Sequence, residues 1–170
     1  MEEIDRDGIH QYLTFQLAEE VYAIRVANIK EVLGVPRITR VPRMPAFMSG
    51  AINLRGNVVP ILDLRQKFAL GSTPLTIDTS IIVTEIGNIF ESEENKGFTI
   101  GIFSDAVKKV ITIDPSLIEP PPKIGISIDT SFIIGMGRVN DEFVIILNLD
   151  KILSEKELLV SGKEEGAVGE

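Results

Sequence analysis

Residues 53–65 read Asn-Leu-Arg-Gly-Asn-Val-Val-Pro-Ile-Leu-Asp-Leu-Arg. Apolar residues lie on both sides of a tight turn at residues 55–57, which predicts a β-hairpin built from residues 50–54 and 58–64. Gly56 supplies the positive φ that such a turn needs. The composition agrees with a sheet protein, because 44% of the residues are hydrophobic but only 6% are aromatic, and Ile, Leu and Val make up most of the rest.

Further strands are predicted on both sides of this hairpin. Alternating or continuous apolar residues indicate strands at 11–17, 21–26, 80–86, 98–103 and 143–149. The strands at 80–86 and 98–103 are expected to pair as a second hairpin, whose polar tip at 87–97 is exposed.

One short helix is predicted between the second strand and the first hairpin. Asn28 is a suitable N-cap, Ile29, Val32 and Leu33 follow at helical spacing, and Gly34 ends the pattern. Residues 36–45 carry three prolines and three arginines and are expected to form an extended connector.

The chain also repeats itself. Three blocks align in order, residues 22–32 with 100–110, 46–50 with 131–135, and 58–64 with 143–149. Chance similarity between Ile- and Val-rich strands is the alternative, but three ordered blocks favour a duplicated architecture. Because each half is marginal alone, we expect two small β-barrels that share a hydrophobic seam.

Composition and charge exclude several classes of function. The net charge of −8 argues against a nucleic-acid surface, which needs clustered Lys and Arg. Much of the acidity lies near the two ends, and the tails 1–9 and 156–170 are expected to be flexible. The sequence has no cysteine, no signal peptide and no apolar run long enough to span a bilayer. We therefore expect a soluble, cytoplasmic protein that does not insert into the membrane.

The sequence offers no convincing catalytic or metal site. The only histidine, His10, lies at the edge of the acidic N-terminal segment, which leaves no zinc-ligand set and no Ser-His-Asp arrangement. The glycines at 135 and 137 lack the third glycine and the helix of a dinucleotide site. Four aspartates could pair for acid–base chemistry, but no spacing singles out a pair. They are Asp63, Asp105, Asp114 and Asp150. We predict a non-enzymatic binding protein without cofactor or metal.

Three features of the first half suit binding. Val26, Ile29 and Val32 are expected to form an apolar ridge around the helix, with core packing as the alternative. Glu31 is expected to project from this helix toward solvent, where a carboxylate can steer a partner. Arg55 stands at the hairpin turn, where it either covers the turn or presents its guanidinium for bidentate recognition.

These residues carry a family resemblance. Residues 53–65 closely resemble the N-L-R-G-x-h-h-P-h-h-D-L-R signature of the CheW-like family, in which h is apolar. Residues 22–32 resemble the first helix region of that family, and 39–50 match its spacer. The resemblance implies a single domain over 10–155, all-β with short helices, in which two SH3-like five-stranded β-barrels pack around a shared hydrophobic core. The first barrel is expected at about 18–75 and the second at 78–150, with exchange of the N-terminal strand left open.

The resemblance also implies a function. Standalone family members couple transmembrane chemoreceptors to the histidine kinase CheA. It therefore implies a non-catalytic adaptor that is a monomer alone, forms rings or arrays with the kinase, and joins the receptor arrays at the membrane through protein contacts. The implied kinase-binding residues are Val26, Ile29, Val32 and Gly50. The implied receptor-binding residues are Glu31, Arg55, Gly101 and Val110.

Two other interpretations stay open. The chain could be a CheW-like regulatory module of another two-component signalling protein, although Met1 and the charged C-terminal tail favour a complete chain. It could also be an enzyme that uses carboxylates in the groove between the barrels. Mixing with the regulatory domain of CheA discriminates between the adaptor and the enzyme.

Overall fold

The computed structural model describes residues 10–86, 98–121 and 130–152 of the chain. These ranges contain ten strands and one four-residue helix, α1 (Leu64–Lys67). The strands are β1 (Gln11–Leu17), β2 (Glu20–Arg25), β3 (Ile29–Gly34), β4 (Met48–Leu54), β5 (Asn57–Leu62), β6 (Ser80–Ile86), β7 (Phe98–Ser104), β8 (Ala106–Thr112), β9 (Ile133–Val139) and β10 (Glu142–Leu147). Within the described residues, no helix has the length and apolar character needed to cross a bilayer. The predicted tails and the 87–97 tip lie outside the described residues.

The strands form two five-stranded sheets. One has the order β3-β6-β7-β5-β4 and is called here the middle barrel. The other has the order β8-β1-β2-β10-β9 and is called the terminal barrel. In each sheet a single parallel pair, β5 with β7 or β10 with β2, joins strands that are otherwise antiparallel. The chain passes between the sheets twice, at the 3-10 turn Val26–Asn28 and at Asp105.

Three hydrophobic clusters explain why both faces of each sheet are apolar. The middle barrel encloses its own cluster, to which Ile81 and Val83 of β6 contribute. Ile82 points the other way because side chains alternate along a strand, and it joins a large core shared by both barrels. Phe15 and Ile24 of the terminal barrel are fully buried in that same core. The all-β prediction with two five-stranded units around a shared core is confirmed.

The internal repeat is visible in the hydrogen bonding. Ile61 pairs in parallel with Gly101, and Ile146 pairs in the same way with Ala23, which reproduces the sequence offsets of both kinds of block. The Asp63 amide donates to the Phe47 carbonyl over 2.7 Å, and the Asn148 amide donates to the Phe132 carbonyl over the same distance. The two halves of the chain therefore share equivalent backbone hydrogen bonds as well as similar sequences.

The division into barrels at residues 75–78 does not match the sheets. β6 and β7, expected in the second barrel, belong to the middle barrel together with β3, β4 and β5. Both N-terminal strands, β1 and β2, complete the terminal barrel, so the exchange involves two strands. Each repeat thus lends its first two strands to the barrel formed by the last three strands of the other repeat.

The predicted helix at residues 29–33 is wrong, because this segment is strand β3. The Asn28 side chain does not cap a helix; its Nδ2 donates to the Glu85 carbonyl over 3.1 Å and ties the chain to β6. A register shift between Ile29 and Glu31 then places Ile29 opposite Thr84 and Val32 opposite Ile82. Directly paired residues share a face, so this bulge produces the three-residue spacing that suggested a helix.

Candidate interaction site

An ion pair at one end of the middle barrel joins two of the predicted site residues. Arg55 and Gly56 form the β4–β5 turn with φ values of +52° and +86°, as expected for a tight hairpin. The Asn53 side chain accepts a 2.9 Å hydrogen bond from the Gly56 amide and fixes this turn. From there both terminal nitrogens of Arg55 donate to the Glu31 carboxylate, over 2.5 and 3.1 Å.

The pair is charged at neutral pH. The hydrogen bond from Arg55 lowers the pKa of Glu31 below its usual value, and the same contact raises the pKa of Arg55. Both groups lie at the protein surface, where an ion pair contributes little to stability. The bidentate geometry instead holds the guanidinium and the carboxylate in one orientation.

A cleft of about 470 Å³ with both polar and apolar walls lies beside this pair. We call it the hairpin cleft. Its apolar side is formed by Leu54, by Val58, which is 71% exposed, and by Phe98, which is 36% exposed. Lys30 borders it and donates to the Thr99 hydroxyl over 3.2 Å. An apolar surface rimmed by fixed charges is typical of a protein-binding site.

The corresponding place in the terminal barrel has the same backbone but different chemistry. Asn140 and Asp141 replace Arg55 and Gly56, again with positive φ values of +50° and +67°. At the position that corresponds to Glu31 stands Lys109. Lys109 and Asn140 cannot form an ion pair, so among the described residues a pair between these two positions is found only in the middle barrel.

The residues of the predicted apolar ridge lie partly in the core. Ile29 packs against the shared core, whereas Val32, on the same face of β3, is 42% exposed. Val26 is half-buried in the 3-10 turn. Glu31 lies on the opposite face of β3 from Val32, because it pairs with Val83 of the barrel interior. Strand β3 therefore presents two different surfaces.

Two predicted contact residues are corrected by their burial. A Cβ at Gly50 would collide with the Thr39 carbonyl oxygen and lie 2.8 Å from Ile38 Cγ2. A Cβ at Gly101 would lie 2.5 Å from Ile61 Cδ1, inside the middle barrel. Both glycines are buried and allow close packing, so neither offers a surface to a partner.

Val110 lies apart from the other predicted site residues. It is 54% exposed on β8, an edge strand of the terminal barrel. It corresponds to Val32 of β3, which is an edge strand of the middle barrel.

Sequence reasoning missed Lys30, Leu54, Val58 and Phe98. Val58 could have been found from the sequence. Val58 and Val59 are consecutive in a strand, so their side chains point to opposite faces and one of the two must face outward. Phe98 could not, since its place beside β5 depends on the parallel pairing of β5 with β7.

The aspartates considered for catalysis have structural partners. Asp63 caps α1 and accepts hydrogen bonds from both the amide and the hydroxyl of Thr73, at 2.9 and 2.7 Å. Asp114 caps the 3-10 turn at Ser116. Asp105 accepts from Arg65 and from the Ala18 amide, each over 2.9 Å. Because Ala18 follows β1 and Arg65 lies in α1, this ion pair clamps the two barrels together.

The fold and the cleft define the class of protein, a double β-barrel module with a charge-rimmed apolar surface for binding other proteins. The chain belongs to the CheW-like family, because the CheW-like domain model matches residues 11–157. It is 31% identical over 148 residues to the "Chemotaxis protein CheW" of Klebsiella aerogenes, covering 87% of this chain and 84% of that one. It is 33% identical over 151 residues to the "Chemotaxis protein CheW" of Helicobacter pylori, covering 89% and 86%.

A solved structure agrees with this assignment. The scaffolding protein TtCheW from Thermoanaerobacter tengcongensis superposes with a TM-score of 0.75 at 35% identity, over 87% of this chain and 90% of that chain. This match confirms the predicted SH3-like double-barrel fold. Together these similarities support an adaptor role in chemotaxis and confirm the resemblance drawn from residues 53–65.

Proposed function

We propose that this protein is a non-catalytic adaptor that couples chemoreceptors to the histidine kinase CheA. The observation that carries the proposal is the hairpin cleft, where the Glu31–Arg55 pair stands beside exposed Val58 and Phe98. In the cell the adaptor is cytoplasmic and joins receptor arrays at the membrane through protein contacts. CheW-like family membership and the scaffolding protein of similar structure support this role.

The hairpin cleft binds the cytoplasmic tip of the receptor. Its apolar side chains are large enough to be buried against a partner, and such central apolar contacts supply most of the binding energy in protein interfaces. The oriented Glu31–Arg55 pair gives the contact its register, since charges at an interface contribute specificity more than affinity.

The other face of β3 binds the regulatory domain of CheA. Val32 supplies exposed apolar surface there, and Ile29 anchors the strand in the shared core. One strand then contacts both partners, Glu31 on one face and Val32 on the other. A change in receptor state that moves β3 therefore changes the affinity for the kinase, with a coupling free energy of about 1–3 kcal/mol.

Val110 extends this arrangement to the second barrel. Edge strands with unpaired backbone groups readily take part in contacts between barrels. With β3 and β8 both at sheet edges, the adaptor can contact two neighbours and propagate rings with the kinase.

Two single substitutions separate the proposed surfaces. Binding to a purified receptor cytoplasmic fragment and to the CheA regulatory domain is measured by isothermal titration calorimetry. Arg55→Glu places like charges together and should weaken receptor binding at least tenfold, about 1.4 kcal/mol, while kinase binding stays unchanged. Val32→Asp should do the reverse. Val32 is a better test position than Ile29, because Asp at Ile29 would also disturb the shared core.

A matched control lies in the terminal barrel. The guanidinium carbon Cζ of Arg138 lies 5.0 Å from the ring centre of Phe143, the residue that corresponds to Val58. Arg138→Glu makes the same charge change near the equivalent hairpin and should leave both affinities within twofold. The proposal fails if neither partner binds the unmodified protein, or if Arg55→Glu and Arg138→Glu weaken receptor binding equally.

A further inference from the structure

The connector at residues 36–45 concentrates positive charge on an acidic protein. Arg37, Arg40 and Arg43 are all exposed, and residues 32–62 include no Asp or Glu. None of these three arginines forms an ion pair with another described residue. Guanidinium groups without a partner on their own chain attract a negatively charged ligand.

Two of these arginines line a cleft. Arg40 and Arg43 border a cleft of about 380 Å³, which we call the connector cleft. Met44 and Pro45, both half-buried, supply apolar surface there, and none of the described residues that line it is acidic. The connector cleft therefore offers two positive charges beside a small apolar surface.

The backbone around the connector cleft is held in place. Thr39 and Ala51 exchange two hydrogen bonds of 2.8 Å, and the Met48 amide donates to the Pro45 carbonyl over 2.9 Å. Arg43 itself has a φ of +64°. A residue other than glycine keeps this left-handed conformation only where the surrounding structure supports it, and such residues cluster at ligand-binding sites. Because the backbone is already fixed, little conformational entropy is lost when a ligand binds.

The chemistry of the connector cleft distinguishes between anionic ligands. Guanidinium groups bind carboxylates and phosphates in the same bidentate manner. The net charge of −8 on the whole chain repels an extended polyanion such as nucleic acid, whereas a short segment meets mainly the charges within a Debye length of the cleft. Met44 and Pro45 favour a ligand that also carries apolar side chains, which a free phosphate lacks. A segment with carboxylates beside apolar side chains meets both requirements.

We infer that the connector cleft binds a short acidic segment of another protein. Carboxylates of this segment pair with Arg40 and Arg43, and an apolar side chain between them covers Met44. The connector cleft and the hairpin cleft share no described lining residue, and in the hairpin cleft the guanidinium of Arg55 is already bound to Glu31. The inference is therefore independent of the receptor and kinase contacts proposed above.

A peptide of defined sequence tests this inference on the full chain. The acetylated and amidated peptide Glu-Leu-Glu-Glu-Leu-Glu is titrated into ¹⁵N-labelled protein at about 0.05 M salt, and amide NMR signals are followed. We expect the signals of Arg40, Arg43 and Met44 to shift with a Kd of about 100 µM or tighter, while those of Val58 and Phe98 in the hairpin cleft stay in place. Binding should weaken at least tenfold at about 1 M salt, where the Debye length falls to about 3 Å.

Matched variants of the protein and of the peptide supply the controls. Arg40→Gln with Arg43→Gln should weaken binding at least tenfold, whereas Lys108→Gln with Lys109→Gln, an equal charge change at exposed positions of β8, should change it less than twofold. A peptide with serine in place of leucine should bind at least threefold more weakly, because it offers no apolar side chain to Met44.

Several results would overturn the inference. They are an absence of shifts at the connector with about 1 mM peptide, equal weakening by the two double variants, and equal binding of the serine peptide. Inorganic phosphate is added at the same concentration as the peptide, and so are vesicles of phosphatidylglycerol and phosphatidylcholine in equal parts. If either one displaces the peptide from the connector, the cleft is a general anion site or a membrane contact, and the inference is wrong.

Discussion

Alanine substitutions at three glycines should destabilise the protein in an order set by what each new Cβ would meet. At Gly50, φ is +144° and the Cβ would collide with backbone, the Thr39 carbonyl. At Gly101, the Cβ would meet only the ends of the Ile61 and Ile81 side chains, at 2.5 and 2.8 Å. At Gly34, no atom lies within 4 Å of the Cβ position.

The magnitudes follow from these surroundings. Gly50→Ala combines an unfavourable φ with overpacking, each about 1–3 kcal/mol, for a total of about 2–6 kcal/mol. Gly101→Ala carries the overpacking alone and should cost about 1–3 kcal/mol, since isoleucine side chains can adjust. Gly34→Ala should be neutral or stabilise by up to about 1 kcal/mol, because alanine restricts the unfolded chain.

Urea unfolding followed by far-UV circular dichroism measures this order in a protein without tryptophan. Midpoints should fall from Gly34→Ala through Gly101→Ala to Gly50→Ala at a constant slope. Kinase binding by Gly50→Ala should be lost only in proportion to unfolding. If Gly50→Ala is as stable as the unmodified protein and still loses kinase affinity, Gly50 is a contact residue and the steric reasoning is refuted.

Three further predictions concern ionisable groups. Asp105→Ala should lower the free energy of unfolding by about 2–4 kcal/mol, because it leaves Arg65 and the Ala18 amide without their acceptor. As a control, Glu85→Ala removes an exposed ion pair with Lys30 and should change the free energy of unfolding by less than about 1 kcal/mol. Equal effects of the two substitutions in urea unfolding would contradict the role of Asp105 as a clamp. Burial, with a smaller effect of Glu20, raises the pKa of Tyr22 to about 12, so the stability that neutral Tyr22 contributes is full below the unfolded value of about 10 and is lost as pH rises through 12. Burial also raises the pKa of Tyr12, so absorbance of tyrosinate should show both tyrosines ionising late, with Tyr22 the later of the two. Because the pKa of Glu31 is lowered, its ion pair with Arg55 is intact above the usual glutamate pKa and is lost as pH falls through the lowered pKa of Glu31. Carboxyl-carbon NMR should show the pKa of Glu31 rising in Arg55→Gln. An unchanged pKa in this variant would count against the ion pair.

Local features of the fold were predictable and non-local ones were not. The β4–β5 hairpin follows from the turn at Gly56, and β1, β6 and β7 follow from their apolar residues. The helix at residues 29–33 was wrongly predicted because a β-bulge gives the same three-residue spacing as a helical turn. Strand exchange left no local trace, since β2 finds its parallel partner β10 more than a hundred residues later.

The candidate site divides in the same way. Glu31 and Arg55 were each predicted as site residues from their charge and position. Their ion pair could not be predicted, because it depends on β3 being a strand beside the β4–β5 turn. Gly50 and Gly101 were predicted as contact residues from the family resemblance alone. A resemblance between sequences gives the position of a residue in the chain but does not say whether that residue is buried. Val58 and Phe98 become neighbours only through the β5–β7 pairing.

The exchange of strands between the repeats also bears on how such a chain arose. Neither repeat closes a barrel with its own five strands, because its first two strands lie in the other sheet. A half-length ancestor with this topology would have been complete only as a symmetric dimer in which each copy gave two strands to its mate. Fusion of two such copies would have allowed the equivalent hairpins to differ in sequence, as Arg55 at one tip and Asn140 at the other now do. The present asymmetry, a Glu31–Arg55 pair at one described hairpin tip and Asn140 at the equivalent tip, gives a pseudo-symmetric molecule two distinguishable sides.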